Sequence, residues 1–75
     1  MKITLNGDPF EIEGPLTVSQ LLDALKIDPR RVAVEHNRKI VKRTSYDSLI
    51  VTKGDQVEVV NFVGGGAPSA STMND

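Results

Sequence analysis

Hydrophobic and polar residues alternate at the start of the chain. The segments KITL and FEIE each place an apolar side chain at every second position, which is the period of a strand with one buried face. Between them, Asn6-Gly7 offers two residues that tolerate the positive φ angles of a two-residue hairpin turn. The pattern predicts a β-hairpin over residues 1–13.

The period changes to that of a helix from residue 17 onward. Thr17 can cap a helix, and Gln20, three residues later, completes a capping box. Apolar positions then recur at i, i+3, i+4 and i+7, at Val18, Leu21, Leu22 and Leu25. Asp28-Pro29 stops the helix, because the residue before proline avoids the helical region and proline donates no hydrogen bond. One amphipathic helix is therefore predicted.

The second half of the chain returns to strand patterns. Short β-rich or apolar runs cover residues 32–34, 40–41, 49–51 and 57–60. Turns are predicted at Asn37-Arg38 and at residues 53–55, and residues 42–48 look irregular. One helix packed across one face of a small mixed β-sheet, an α+β roll, buries the leucine stripe. The predicted core consists of Ile3, Leu5, Val18, Leu21, Leu22, Leu25, Val32, Val34, Ile40, Leu49, Val57 and Val59.

Length and composition exclude several classes of protein. A chain of 75 residues with 39% hydrophobic and 25% charged residues is typical of one small soluble domain. The absence of cysteine excludes disulfides, thiolate metal sites and a cysteine nucleophile. His36 is the single histidine, so multi-histidine metal sites are excluded too. We predict no catalytic residue, no metal site and no activity of the chain as an enzyme by itself.

The charge distribution gives little support for a nucleic acid or membrane partner. The net charge is −1, and no secretion signal or membrane-spanning segment is present, so a cytoplasmic protein is expected. Basic residues concentrate at Arg30, Arg31, Arg38, Lys39, Lys42 and Arg43. A solvated face explains them better than RNA binding, because the nearby aromatic residues are limited to Tyr46.

Two other candidate sites have simpler explanations. His36 lies in a predicted strand without a carboxylate at ligand spacing, and a surface or half-buried histidine is the preferred interpretation. The carboxylates of Asp8, Glu11 and Glu13 alternate on the hairpin and are expected to face solvent, where they serve solubility.

The composition changes after Phe62-Val63. We predict a folded domain over residues 1–63 and a flexible glycine-rich tail over residues 64–75. Gly64, Gly65 and Gly66 are not a phosphate-binding loop, because no Lys-Ser/Thr and no helix follow them. They are either a linker or a segment that can enter a narrow channel of another protein, because glycine has no side chain. In the second case the chemistry belongs to a terminal carboxylate.

Four segments together resemble a known family. MKITLNG, TVSQLL, VAVEHNRKIVKR and, most specifically, GDQVEVVNFVGGG are similar to the bacterial sulfur carrier proteins of thiamine biosynthesis, the ThiS family. That family belongs to the ubiquitin-like β-grasp superfamily. The resemblance covers residues 1–66 and implies a β-grasp roll.

The resemblance also implies a cycle run by partner enzymes. A ThiF-like adenylating enzyme would use ATP to join the Gly66 carboxylate to AMP, and sulfur from a persulfide enzyme would convert it to a thiocarboxylate. A ThiG-like thiazole synthase would receive the sulfur. Gly64, Gly65 and Gly66 would enter the partner's active site, and Phe62 and Val63, with exposed apolar residues of the sheet, would dock. The carrier would bind no cofactor itself and is expected to be a monomer when free.

The chain departs from the family at residues 67–75, which extend beyond the usual family end. Gly66 is then an amide, so a protease must remove the extension before adenylation, unless the extension is artificial. Two alternatives remain: a sulfur carrier for cysteine, homocysteine or molybdopterin synthesis, and a β-grasp interaction module whose glycines tether a tail.

Overall fold

The chain begins with the predicted hairpin. The computed structural model describes residues 1–61, and in it β1 (Lys2–Leu5) pairs antiparallel with β2 (Asp8–Glu11). Asn6 and Gly7 have φ angles of 50° and 85°, so both turn residues adopt the left-handed region. This is the geometry of a type I′ turn, which matches the twist of the flanking strands.

Five strands form a mixed sheet around the last strand of the described chain. These are β1, β2, β4 (Val32–His36), β5 (Lys39–Ile40) and β7 (Gln56–Asn61), in the order β2-β1-β7-β4-β5. β7 runs parallel to β1 and antiparallel to β4. The strand that leads to the glycines therefore lies at the centre of the sheet.

The helix begins as predicted and ends earlier. α1 spans Val18–Ala24, and Thr17 and Gln20 form both hydrogen bonds of the capping box. The expectation that Asp28-Pro29 ends the helix is wrong, because Lys26 adopts a φ of 59° two residues after Ala24. The amides of Lys26 and Ile27 donate to carbonyl groups of the last turn, at 3.0 and 2.9 Å. These bonds form a Schellman motif with lysine where glycine is usual.

Short elements complete the fold on the helix side. β3 (Leu16–Thr17) pairs with β6 (Ile50–Val51) as a separate two-stranded sheet. Two 3-10 helices span Pro29–Arg31 and Arg43–Ser45. The second lies in the segment that was expected to be irregular.

The core lies between α1 and the inner face of the five-stranded sheet. Its buried residues are Ile3, Ile12, Val18, Leu21, Leu22, Val32, Val34, Val41, Tyr46, Val51 and Val57. Four other predicted core residues, Leu5, Leu25, Leu49 and Val59, are half-buried against it. Ile12, Val41, Tyr46 and Val51 were missing from the predicted set.

Ile40 was wrongly predicted to be in the core and is 59% exposed. It pairs directly opposite Glu35. In the sequence Glu35 comes between the buried Val34 and the half-buried His36, so its side chain lies on the opposite, outer face of the sheet. Opposite residues share a face, so Ile40 points outward and its neighbour Val41 is buried instead.

Candidate functional site

The predicted site follows directly on β7. Phe62, Val63, Gly64, Gly65 and Gly66 all lie outside the described residues, so their assignment stays a prediction. The structure does define where the chain reaches them. Asn61, the last residue of β7, lies opposite Val32 at the start of β4. The candidate site is therefore the end of the central strand and the surfaces on either side of it.

Different partners hold the two sides of β7. Backbone pairing with β4 extends from Val57 to Asn61, whereas backbone pairing with β1 stops at Val57. Beyond Val57 the side chain of Asn6 replaces the β1 backbone as the hydrogen-bond partner of β7. Its Oδ1 accepts from the amide of Val59 at 2.7 Å, and its Nδ2 donates to the carbonyl of Val59 at 3.3 Å.

The outer face of the sheet carries exposed apolar residues near this end. Val60 is 43% exposed and lies opposite Ala33. Glu58 lies opposite Glu35, which in turn lies opposite the exposed Ile40. Glu35, Glu58 and Val60 line one shallow depression together with Arg38 and Gln56. The outer face of the sheet thus carries an apolar patch, Val60 near the end of β7 and Ile40 on β5, with acidic neighbours.

A polar cluster stands at the opposite end of β7. Nε2 of His36 lies 2.7 Å from Oδ2 of Asp55, and both side chains are largely buried. The same carboxylate accepts from the amide of Thr52 at 2.9 Å, while Oδ1 of Asn37 accepts from the amide of Gln56 at 2.9 Å. The prediction of a half-buried His36 is confirmed, but its carboxylate partner was missed, because Asp55 is 19 residues away.

The pKa of Asp55 reflects these contacts. Burial raises it, but the hydrogen bonds from His36, from the Thr52 amide and from Asn37 outweigh the burial and leave the pKa below its ordinary value. Asp55, held ionised by backbone and side-chain donors, is thus a structural anchor for two turns. It lies at the opposite end of β7 from Asn61.

Arg30 and Arg31 lie apart from Arg38 and Lys39. Arg30 and Arg31 pair with Asp28 at 3.1 and 3.7 Å, before β4 begins. The side-chain hydrogen bond from Arg30 lowers the pKa of Asp28. Arg38 and Lys39 lie beyond the other end of β4, a five-residue strand that separates the groups by about 17 Å.

The aromatic residue near these positive charges is not available for stacking on a base. Tyr46 is buried, and burial raises its pKa. Its hydroxyl donates to the carbonyl of Val32 at 3.5 Å. The arrangement gives no support to RNA binding.

The described residues offer no other chemical centre. No group of three or more histidine, aspartate or glutamate side chains within residues 1–61 is placed to hold a metal ion. Asp8, Glu11 and Glu13 are exposed, as expected. In the same part of the chain, no helix has the length and apolar character needed to cross a bilayer.

Comparison with known proteins identifies the family. Residues 3–66 match the profile of the ThiS family. The chain belongs to the ThiS family. A crystal structure of the thiamine biosynthesis protein ThiS from Geobacter metallireducens is 40% identical, with a TM-score of 0.78 over 87% of this chain and 99% of that one. The ubiquitin-like β-grasp fold expected from the sequence is therefore confirmed.

Two curated relatives of this ThiS-family chain differ in length. A thiazole synthase of Paramagnetospirillum magneticum is 42% identical over 73 residues, which make up 97% of this chain and 22% of that relative. The chain thus spans about a fifth of that protein's length. The sulfur carrier protein ThiS of Bacillus subtilis is 34% identical over 50 residues, which are 67% of this chain and 76% of that protein.

Proposed function

We propose that this chain is a sulfur carrier of thiamine biosynthesis, a covalent substrate of partner enzymes that catalyses no step itself. The observation that carries the proposal is the position where the family match ends. It ends at Gly66, five residues after β7 ends at Asn61. The names of the Bacillus and Geobacter relatives support the same function.

The chemistry belongs to the α-carboxylate that Gly66 has once its bond to residue 67 is hydrolysed. Such a carboxyl, with a pKa of about 3.3–3.7, is ionised near neutral pH and is a poor electrophile. An adenylating partner transfers AMP from ATP to one carboxylate oxygen and releases pyrophosphate. A persulfide sulfur then attacks the acyl carbon, and AMP leaves with the electron pair of the C–O bond. Reduction of the S–S bond by a second thiol releases the thiocarboxylate.

The extension must be removed for this chemistry to begin. The match to the Paramagnetospirillum protein covers 73 of 75 residues, so it continues past Gly66. This supports a natural segment rather than an added one, and a tail-removing protease is part of the proposal. The same relative is named a thiazole synthase, which supports such an enzyme as the acceptor of the sulfur.

Docking of the adenylating partner is assigned to the outer face of the sheet. Val60 and Ile40 are exposed there, and Phe62 and Val63 come directly after β7 in the sequence. An apolar anchor beside the tail supplies binding energy that glycines without side chains cannot.

A truncation series tests the proposal. We expect a chain that ends at Gly66 to support ATP–pyrophosphate exchange with a ThiF-like enzyme, whereas chains that end at Gly65 or continue to Asp75 do not. All three keep residues 1–61, so equal thermal unfolding midpoints are the control. Exchange that is equal for all three chains, or absent for all three, contradicts the carrier function. Partner binding that survives deletion of residues 64–75 without any exchange would instead favour the interaction module.

A further inference from the structure

On the side of β7 that faces β1, a side chain takes the place of a strand beyond Val57. In a regular parallel ladder, the amide of each β1 residue that faces β7 donates to the carbonyl of one β7 residue. The carbonyl of the same β1 residue accepts from the amide of the β7 residue two positions further along. Thr4 and Asn6 follow the first half of this pattern, since their amides donate to the carbonyls of Asp55 and Val57, each at 2.9 Å. The chain then turns into β2 at Asn6-Gly7, so β1 offers β7 no further backbone partner.

The amide group of Asn6 replaces the missing strand. Oδ1 of Asn6 accepts from the Val59 amide, which in a regular ladder would donate to the backbone carbonyl of Asn6. Nδ2 of Asn6 donates to the Val59 carbonyl, in place of the backbone amide of a later β1 residue. Among residues 1–61, no other hydrogen bond from the hairpin reaches β7 after Val57.

Two requirements meet at Asn6. Its φ of 50° lies in the left-handed region, which asparagine tolerates better than most residues. Its side chain must also offer an acceptor and a donor at the length that reaches Val59. Glycine meets the first requirement alone, aspartate lacks the donor, and glutamine is longer by one methylene.

We propose that Asn6 is a positioning residue that fixes the course of β7 from Val59 to Asn61, and with it the direction in which the chain departs toward Gly66. The inference rests on the proposed function of Gly66. Adenylation requires the carboxylate to lie close to the α-phosphate of ATP, and a fixed base for the tail lowers the entropy that must be lost. Docking through the outer face is unaffected, because the Asn6 bonds lie along the strand edge.

The chain contains its own matched control. Asn37 occupies the first position of the second two-residue turn, with a φ of 51°. Its side chain also bonds to the β7 backbone, at the amide of Gln56. Asn37→Gly therefore removes a comparable turn side chain and a comparable backbone contact, but at the end of β7 that lies away from Gly66.

The test compares Asn6→Gly, Asn6→Asp and Asn37→Gly in the chain that ends at Gly66. Pyrophosphate exchange is measured with the adenylating partner at a temperature where circular dichroism shows all variants folded. We expect Asn6→Gly to lower kcat about tenfold with KM within about twofold, since fewer docked complexes have the carboxylate in place. Asn6→Asp, which retains the acceptor, recovers part of kcat, and Asn37→Gly keeps the original kcat. Amide exchange at Val59 is faster in Asn6→Gly.

The outcomes separate the two proposals. If the unsubstituted chain that ends at Gly66 shows no exchange, the carrier function fails, and the role of Asn6 fails with it. If that chain is active and Asn6→Gly retains its kcat, the carrier function stands and Asn6 is merely structural. Equal losses of kcat in Asn6→Gly and Asn37→Gly also overturn the inference, because a general loosening of β7 then explains both.

Discussion

The two ends of β7 are built differently. Where the strand begins, Asp55 and Gln56 are held by the side chains of His36 and Asn37, by the Thr52 amide and by backbone pairing with β1. Where it ends, backbone pairing comes from β4 alone, and the other side is held by one asparagine side chain. The first end is polar, with His36 and Asp55 half-buried, whereas the second has Val60 exposed.

This difference separates stability from function along a single strand. The cluster at the first end ties two turns together through hydrogen bonds within the chain. The second end keeps Val60 exposed, and in the middle of the strand the carboxylates of Glu35 and Glu58 lie directly opposite each other. Like charges facing each other across a ladder are unfavourable. Such features are expected where another protein binds.

The largest effect on the fold itself is expected at Asp55. Asp55→Ala leaves the Thr52 amide and the His36 ring without their acceptor, and we expect the free energy of unfolding to fall by about 1–3 kcal/mol. Urea denaturation measures this. Asp8→Ala, at an exposed carboxylate on β2, is the control and should change stability by less than about 0.5 kcal/mol. Equal effects of the two substitutions would show that the cluster does not hold the first end.

The pH dependence of stability gives a second readout of Asp55. Because its pKa is lower in the folded chain than in the unfolded chain, its contribution is complete above the unfolded value of about 3.9. That contribution is lost as the pH falls through the unfolded value and then through the lower folded one. Asp55→Asn should therefore lose less stability than the original chain between pH 5 and the acid limit. Parallel curves would contradict this assignment.

An intermediate effect is expected at Val60, and it concerns binding. Val60→Glu places a charge in the apolar patch and should raise KM for the adenylating partner roughly tenfold, as expected for an anchor residue worth more than about 1 kcal/mol. Ile50, which is 49% exposed but lies in the two-stranded sheet, provides the control variant Ile50→Glu. If both variants raise KM equally, the docking face has been misplaced.

The smallest effect is expected for the opposed carboxylates. Glu58→Gln removes the repulsion from Glu35 and should increase the free energy of unfolding by about 0.2–1 kcal/mol. The double variant Glu35→Gln/Glu58→Gln should gain no more than either single variant, which thermal denaturation can measure. A loss of stability in Glu58→Gln would mean that this carboxylate supports the sheet.

Local sequence signals predicted much of this fold. The capping box at Thr17 and Gln20 and the turns at Asn6-Gly7 and Asn37-Arg38 depend on residues close in sequence, and the structure confirms them. The early end of α1 was missed because Lys26 adopts a left-handed conformation without glycine. Ile40 was misplaced because its face is set by its pairing with Glu35, not by its neighbours in sequence.

Long-range polar contacts were beyond sequence reasoning. His36 meets Asp55 only because the β4–β5 turn and the turn before β7 lie side by side, and Asn6 meets Val59 across 53 positions. Neither spacing matches a local motif. The glycines and the apolar pair before them were found from composition and family resemblance, and the structure adds the strand that leads to them.

The measurement that tests the central claim most directly is the intact mass of this protein, isolated from its own cells without a terminal tag. The carrier function predicts a chain that ends at Gly66, with a fraction heavier by the exchange of one oxygen for one sulfur. A chain that always retains residues 67–75, even when the adenylating enzyme and the thiazole synthase are abundant, would contradict it.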